Sequence, residues 1–419
     1  MKQFRFFLTS ATLLLFAVSA TMSHGAGFQL FNELSAKSMA TGAAMSARDD
    51  VAECAWFNPA GSSMMNRASV TSGMAVVFPS MELDTGNDDP DMKNMAYAVP
   101  YLYASMPFME QFGASISINS PYGLTTEWDN DWVGKYYAQY TRVSSIYITP
   151  SFSWRPVKWL SLGAGAQLVY ADAEMRKYIP VTKLGTEVYT KIKGDDWGQG
   201  YILSAMLKPT DKWTFGITFR SQVDLDLDGD ARYEYPQMPE PYNTMLRSVF
   251  LKSDLALPLS LPETLSIAMS TTALDNWRFS AEFLWTGWSS YSNLNFKYDN
   301  MPGQGATEGS VKYEKDWNDV WSIHLGAEYA LTDSVTLRGS YVWDDSPIED
   351  DYRDPSLPTN DRHIFSLGAG WKWGHMEFDG AYSCLFVEDS KPGKKATPTL
   401  HGTYEGTAHI VNFSFTWNF

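Results

Sequence analysis

Beyond Val18 the chain has no apolar run approaching the roughly 18 consecutive residues that a membrane-crossing helix requires, which excludes a helical membrane bundle. It has only two cysteines, Cys54 and Cys384, so neither a disulfide framework nor a thiolate metal cluster is expected. Its six histidines are scattered, and no metal or other cofactor is predicted. Cations are scarce as well: 32 Lys and Arg stand against 48 Asp and Glu, for a formal net charge of −16. That balance argues against a nucleic-acid partner.

What the chain has instead is alternation. Val411, Phe413, Phe415, Trp417 and Phe419 share one face of a strand, and Asn412, Ser414, Thr416 and Asn418 share the other. A soluble sheet would bury the aromatic face, whereas an outer-membrane barrel turns it to lipid and points the polar face inward. The pattern recurs. Leu160, Leu162, Ala164, Ala166 and Leu168 alternate with Ser161, Gly163, Gly165 and Gln167. Trp213, Phe215, Ile217 and Phe219 alternate with Thr214, Gly216, Thr218 and Arg220. Aromatics make up 15% of residues although the mean hydropathy is −0.26, as expected where half of each strand is polar and aromatics form interfacial girdles.

Connections alternate in length. Short turns fall near 108–111, 155–158, 209–212, 274–276, 331–333 and 373–375. Long polar segments fall near 82–93, 120–137, 174–196, 227–248, 291–315, 346–361 and 390–403. Short turns on one side and long loops on the other suit an outer-membrane barrel. The segment 255–271 contains Pro258 and Pro262 and is read as one bent strand, giving an even count of fourteen. The predicted fold is thus all-β, a fourteen-stranded antiparallel transmembrane barrel. Acidic runs at 84–91 and 344–354 are assigned to solvated external loops, where divalent cations or lipopolysaccharide are conceivable partners.

Three regions precede or form this barrel. Residues 1–25 read as an export signal: Lys2 and Arg5 are followed by the apolar stretch Phe6 to Val18 and the small-residue site Ser23-His24-Gly25, so the mature chain starts near Ala26. Residues 26–67 lack strand alternation and form a plug, or hatch, inside the lumen; a periplasmic extension is the alternative. Residues 68–419 form the barrel. Cys54 falls inside and Cys384 on the lipid face, so the two are expected to stay unpaired.

Several motifs in order resemble the FadL/TodX family of outer-membrane transporters for long-chain fatty acids and other hydrophobic compounds. They are Ala26-Gly27-Phe28-Gln29-Leu30, Trp56-Phe57-Asn58-Pro59-Ala60-Gly61, Ser120-Pro121-Tyr122-Gly123-Leu124, Asp131-Trp132-Val133-Gly134-Lys135-Tyr136, Gly194-Asp195-Asp196-Trp197-Gly198, Leu261-Pro262-Glu263-Thr264-Leu265 and Asp344-Asp345-Ser346-Pro347, with the terminal Phe419. The resemblance implies a monomeric barrel in the bacterial outer membrane, handed to the barrel-assembly machinery through Phe419. It implies a hatch containing Phe28, Asn58, Pro59 and Ala60, and passive uptake with lateral release through a kinked third strand. In this sequence that strand is 112–119, with Gly113, Ser120 and Pro121 suited to breaking its ladder.

The resemblance also implies an outer apolar groove and a basic pocket for a carboxylate head group. Tyr178, Ile179, Pro180, Val181 and Leu184 in one loop and Met245, Leu246, Val249, Phe250 and Leu251 in another are the groove candidates, with plain loop packing as the alternative. Arg176 leads for the head group, followed by Lys177 and Lys315; the family's second basic position aligns with Asn318. Each of these cations could instead be a solvated loop charge. Competing functions are uptake of aromatic or aliphatic hydrocarbons by the same route, a general porin, and an enzyme. No G-x-S-x-G or similar motif supports the last of these.

Overall fold

The computed structural model describes residues 27–86 and 89–419. The proposed export signal and the Ala26 start lie outside the described residues.

The alternating segments form fourteen antiparallel strands closed into a barrel. They are β1 (Ser69–Asp84), β2 (Tyr97–Phe108), β3 (Phe112–Asn119 and Gly123–Glu127), β4 (Tyr140–Val157), β5 (Leu160–Val181), β6 (Thr186–Thr210) and β7 (Trp213–Arg220 and Val223–Glu234). They continue with β8 (Ser253–Leu261 and Thr264–Thr271), β9 (Trp277–Thr286 and Asn293–Tyr298), β10 (Gly309–Glu314 and Val320–Ala330), β11 (Val335–Asp344), β12 (Arg362–Trp373), β13 (Met376–Ser390) and β14 (Thr403–Asn418). β1 closes on β14 from Ser69↔Asn418 to Asp84↔Thr403, so no sheet edge remains there. The two halves of β8 flank Pro262 and Glu263 and follow the two halves of β7, which makes them one bent strand.

Burial along the strands is inverted relative to a soluble protein. On β14, Asn412 is 0% exposed and its neighbour Phe413 is 65% exposed. The same holds for Ser366 and Leu367 on β12, and for Thr214 and Phe215 on β7. Period-2 alternation has placed small polar groups inside and large apolar groups outside, which is stable only where the outside is hydrocarbon. Cys384 shares the outward face with Phe378, Tyr382 and Phe386, Cys54 is buried, and both thiols are free.

Three expected loops turn out to contain paired strand, and one of them is almost entirely strand. The segment 174–196 is a hairpin: β5 runs to Val181, a 3-10 turn spans Thr182–Leu184, and β6 begins at Thr186. Its ladder holds from Ala173↔Gly194 to Val181↔Thr186. The β-branched and aromatic residues Tyr178, Ile179, Val181, Val188, Tyr189 and Ile192 favour extended backbone there, so pairing outlasts the lipid-facing part of the strands. β7 likewise reaches Glu234 before the helix α3 (Tyr242–Val249), and the upper halves of β9 and β10 pair within 291–315. Two acids assigned to loops end strands instead: Asp84 ends β1 and stays exposed, whereas Asp344 ends β11, is buried, and pairs with Arg362 of β12.

The N-terminal residues pack against the inner faces of the strands. Ser35 caps α1 (Ala36–Ala40), its hydroxyl accepting from Ser38 N at 2.9 Å. Next come α2 (Cys54–Phe57) and a 3-10 turn over Pro59–Ser63. Residues of the polar row that are glycine let this backbone close in. A Cβ at Gly216 would lie 1.9 Å from Ser46 O, and one at Gly326 would lie 2.4 Å from Thr41 O. Gly216→Val is therefore expected to lower stability by about 1–3 kcal/mol, the usual cost of overpacking. Heat-dependent gel migration of the folded barrel reads this, and an unchanged midpoint would exclude the close approach.

Candidate functional site

The β5–β6 hairpin, the upper halves of β9 and β10, and the segment after β11 enclose a cavity of about 270 Å³ at the long-loop end. Arg176, Lys177 and Lys315, far apart in sequence, all line it. Its walls are largely aromatic and aliphatic, including Tyr140, Met175, Ile179, Leu294, Phe296 and Tyr298. Arg176 stacks 4.3 Å over the Tyr140 ring. Lys177 Nζ donates to the Tyr313 hydroxyl at 2.8 Å, and Lys315 pairs with Asp354.

The lining carries three cations against one carboxylate, Asp354. Glu174, beside it, meets Arg176 at 2.5 Å and both Lys191 and Lys193 at 3.0 Å. Burial alone would raise the Glu174 carboxyl, but hydrogen bonds from Lys193, Lys191 and Arg176 outweigh it and hold it at about 2. One anion among three cations leaves positive charge over. Of the three lining cations, Arg176 is paired with Glu174 and Lys315 with Asp354, while Lys177 meets no carboxylate among the described residues, so the apolar cavity keeps a cationic edge, the arrangement that suits an amphipathic anion. Asn318 takes no part: it bonds Pro347 O at 2.9 Å through its N–H and Glu349 through its side chain. The cation on that side comes from Lys315.

The groove candidates divide. Tyr178 and Ile179 line the cavity. Val181, Leu184, Leu246, Val249 and Phe250 pack on one another and on Val188, where α3 lies against the hairpin. Leu251 is half-buried just after α3. The apolar loop residues that sequence grouped into one groove thus serve both a cavity wall and loop packing.

The third strand changes partners midway. β3 bonds β2 only from Leu102↔Ile118 down to Phe108↔Phe112, while its upper half, Gly123–Glu127, has β4 as its one ladder partner among the described strands. β2 residues 97–101 keep β1 but have no β3 partner. A seam in the wall results, bounded above by the Met92↔Trp128 bridge. Ser120 and Pro121 lie in the break between the two halves of β3, and Pro121 brings no N–H to a ladder. Gly113 does not share in it: it stays in register between Pro107 and Ser153. Its lack of a side chain serves the interior instead, since a Cβ there would lie 2.4 Å from Ser63 N.

The N-terminal segment meets the displaced part of β3. Leu30 N donates to Pro121 O and Gly123 N donates to Phe28 O, each at 2.7 Å. The Phe28 ring sits among Tyr122, Trp288, Tyr291 and Trp317, with centroids 4.8 to 6.1 Å away. Asn58 Nδ2 donates to Ser46 O at 2.7 Å and to the wall carbonyl of Ala205 at 3.0 Å, and its Oδ1 caps Ala60 N at 3.2 Å. Pro59 opens the 3-10 turn, and Ala60 N also reaches Ser204 Oγ at 3.1 Å.

Sequence reading missed an ionic network deeper inside. Lys37 meets Glu377 at 3.0 Å and Asp379 at 3.9 Å. Arg48 pairs with Glu328 and, at 2.8 Å, with Asp50. Arg338 holds Glu328 at 2.9 Å and Asp379 at 2.6 Å. The available signal was charge at polar-row positions of strands, as at Arg338, Glu377 and Asp379.

Residues 16–419 match the family described as outer membrane protein transport protein (OMPP1/FadL/TodX). The chain belongs to this family. Its place is accordingly the bacterial outer membrane, and the family's members are transporters of hydrophobic compounds. A long-chain fatty acid transport protein of Escherichia coli O6:H1 is 29% identical over 410 residues, covering 88% of each chain. A 47 kDa outer membrane protein of Pasteurella multocida is 27% identical, covering 92% of this chain and 95% of that one. In fold, the chain is similar to a Pseudomonas aeruginosa FadL homologue, with a TM-score of 0.83, 20% identity, and coverage of 94% and 100%. It is also similar to the P. putida toluene transporter TodX, with a TM-score of 0.74, 17% identity, and coverage of 93% and 99%.

Proposed function

We propose that this protein takes up long-chain fatty acids passively. The acid docks in the outer cavity with its carboxylate at Arg176, Lys177 and Lys315. It then passes the Phe28 aromatic cluster and leaves sideways through the seam between β2 and β3. Residues 26–67 act as the hatch and 68–419 as the barrel, which works as a monomer.

The carrying observation is the convergence of three cations on an apolar cavity. A hydrocarbon without a charge has no use for them, which favours an acid over an aromatic or aliphatic substrate. A tail this apolar gains by leaving water, so a plugged, side-opening route suits it better than a hydrated pore.

Replacing Arg176 with Gln tests the reading. Loss of one charge-assisted hydrogen bond, about 1.5–3 kcal/mol, weakens oleate binding by roughly ten- to a hundredfold. Oleyl alcohol binding stays unchanged. Equal weakening of both ligands would point to packing, and no change in either would point to hydrocarbon cargo.

A further inference from the structure

A second, smaller cavity of about 30 Å³ lies under the outer one, lined by parts of the N-terminal segment, Pro121 and Tyr122 of the seam, and Arg220, Thr264, Glu282 and His324 of the wall. Most polar groups in it are engaged. Glu282 accepts from Ser46 N at 3.0 Å, from Ser46 Oγ at 2.8 Å and from Ser266. His324 bonds Gly42 O at 2.6 Å and Ser322 Oγ at 2.7 Å.

Two donors remain. Arg220 ends the lower half of β7 directly opposite Thr264 of β8. Its guanidinium lies 4.2 Å over the Trp56 ring, and Nη2 donates to Trp56 O. Among the described residues its Nε has no acceptor and the Thr264 hydroxyl has no partner, although both atoms are buried. Among the described residues no carboxylate lies within 4.0 Å of Arg220. A half-buried guanidinium with its buried Nε free and a buried hydroxyl without a partner, on adjacent strands of one cavity, form an incomplete anion site.

We propose that Arg220 and Thr264 form a second carboxylate contact at the inner side of the seam, reached after the outer cavity and before lateral exit. This rests on the fatty-acid reading above and names where the head group is handed on. The ligand class is a monoanionic carboxylate on an apolar chain. Tyr122, Phe57 and Leu284 line the same cavity and offer apolar surface for the chain. The volume is close to that of one water, so the site is a point of contact on the path and not a store for a whole ligand.

Uptake of labelled oleate and oleyl alcohol is compared in cells lacking their own uptake protein and expressing the full chain. Arg220→Gln is expected to slow oleate roughly tenfold, the worth of about one charge-assisted hydrogen bond. The alcohol is unaffected, and Arg220→Lys restores most of the oleate rate. Oleate binding to the outer cavity stays as in the parent, which separates this site from Arg176. Equal slowing of acid and alcohol would mean that Arg220 only pins Trp56, and undiminished oleate uptake would mean that the donors are idle; either overturns the proposal. Should the Gln variant not assemble, Thr264→Val carries the same test, with a roughly threefold loss for oleate alone. A parent that moves no oleate defeats the fatty-acid reading and this contact with it.

Discussion

Deleting Pro121 is expected to abolish uptake. Across the break, β3 advances from Asn119 to Gly123 while its partner β4 advances only from Tyr147 to Ser144, so β3 carries one extra residue. Removing that residue, and with it the one lacking an N–H, lets β3 run straight. Its upper half can then bond β2 at 97–101, which now bonds only β1 on its other side. A wall closed by backbone hydrogen bonds offers no apolar way out. Oleate uptake falls to the level of cells without the protein, while oleate binding persists. Full uptake by a Pro121 deletion whose seam is shown closed would end the lateral-exit reading.

Removing Lys37 and Arg48 together is expected to turn a silent barrel into an ion-conducting one. These side chains tie the N-terminal segment to Glu377, Asp379 and Glu328 on β13 and β10. Stripping one partner from a buried pair costs about 3–5 kcal/mol, because the remaining charge stays buried and unmatched. Arg338 would then face Glu328, Glu377 and Asp379, helped only at Glu328 by Arg278 at 3.8 Å. The K37A/R48A double variant should release the segment and expose the lumen. Planar-bilayer recordings would show steps absent from the parent, and limited proteolysis would cut within 27–67. Silent bilayers with an unchanged digest would mean that the hydrogen bonds of Asn58 and Ala60 suffice to hold the segment.

Much of the barrel could be read directly. Alternation places Asn412 inside and Phe413 outside without any tertiary information, because successive side chains on a strand point to opposite faces. Short turns marked one end of the barrel. The hairpin at 174–196 was less legible: its polar Glu174, Lys177, Lys191 and Lys193 resemble a solvated loop, and only the ladder to the partner strand reveals it. Arg176 and Lys315 could be named singly, but their meeting in one cavity depends on how two separate hairpins lean together.

The amino-acid order by itself determined which face of each strand meets lipid and where the chain turns, since both follow from short-range patterns of period two. Three features were decided only in the folded molecule: the seam beside β2, the ionic hold on the N-terminal segment, and the cation edge of the outer cavity. Each arises where residues distant in sequence compete for the same hydrogen bonds or charges, and no local pattern records the outcome of that competition.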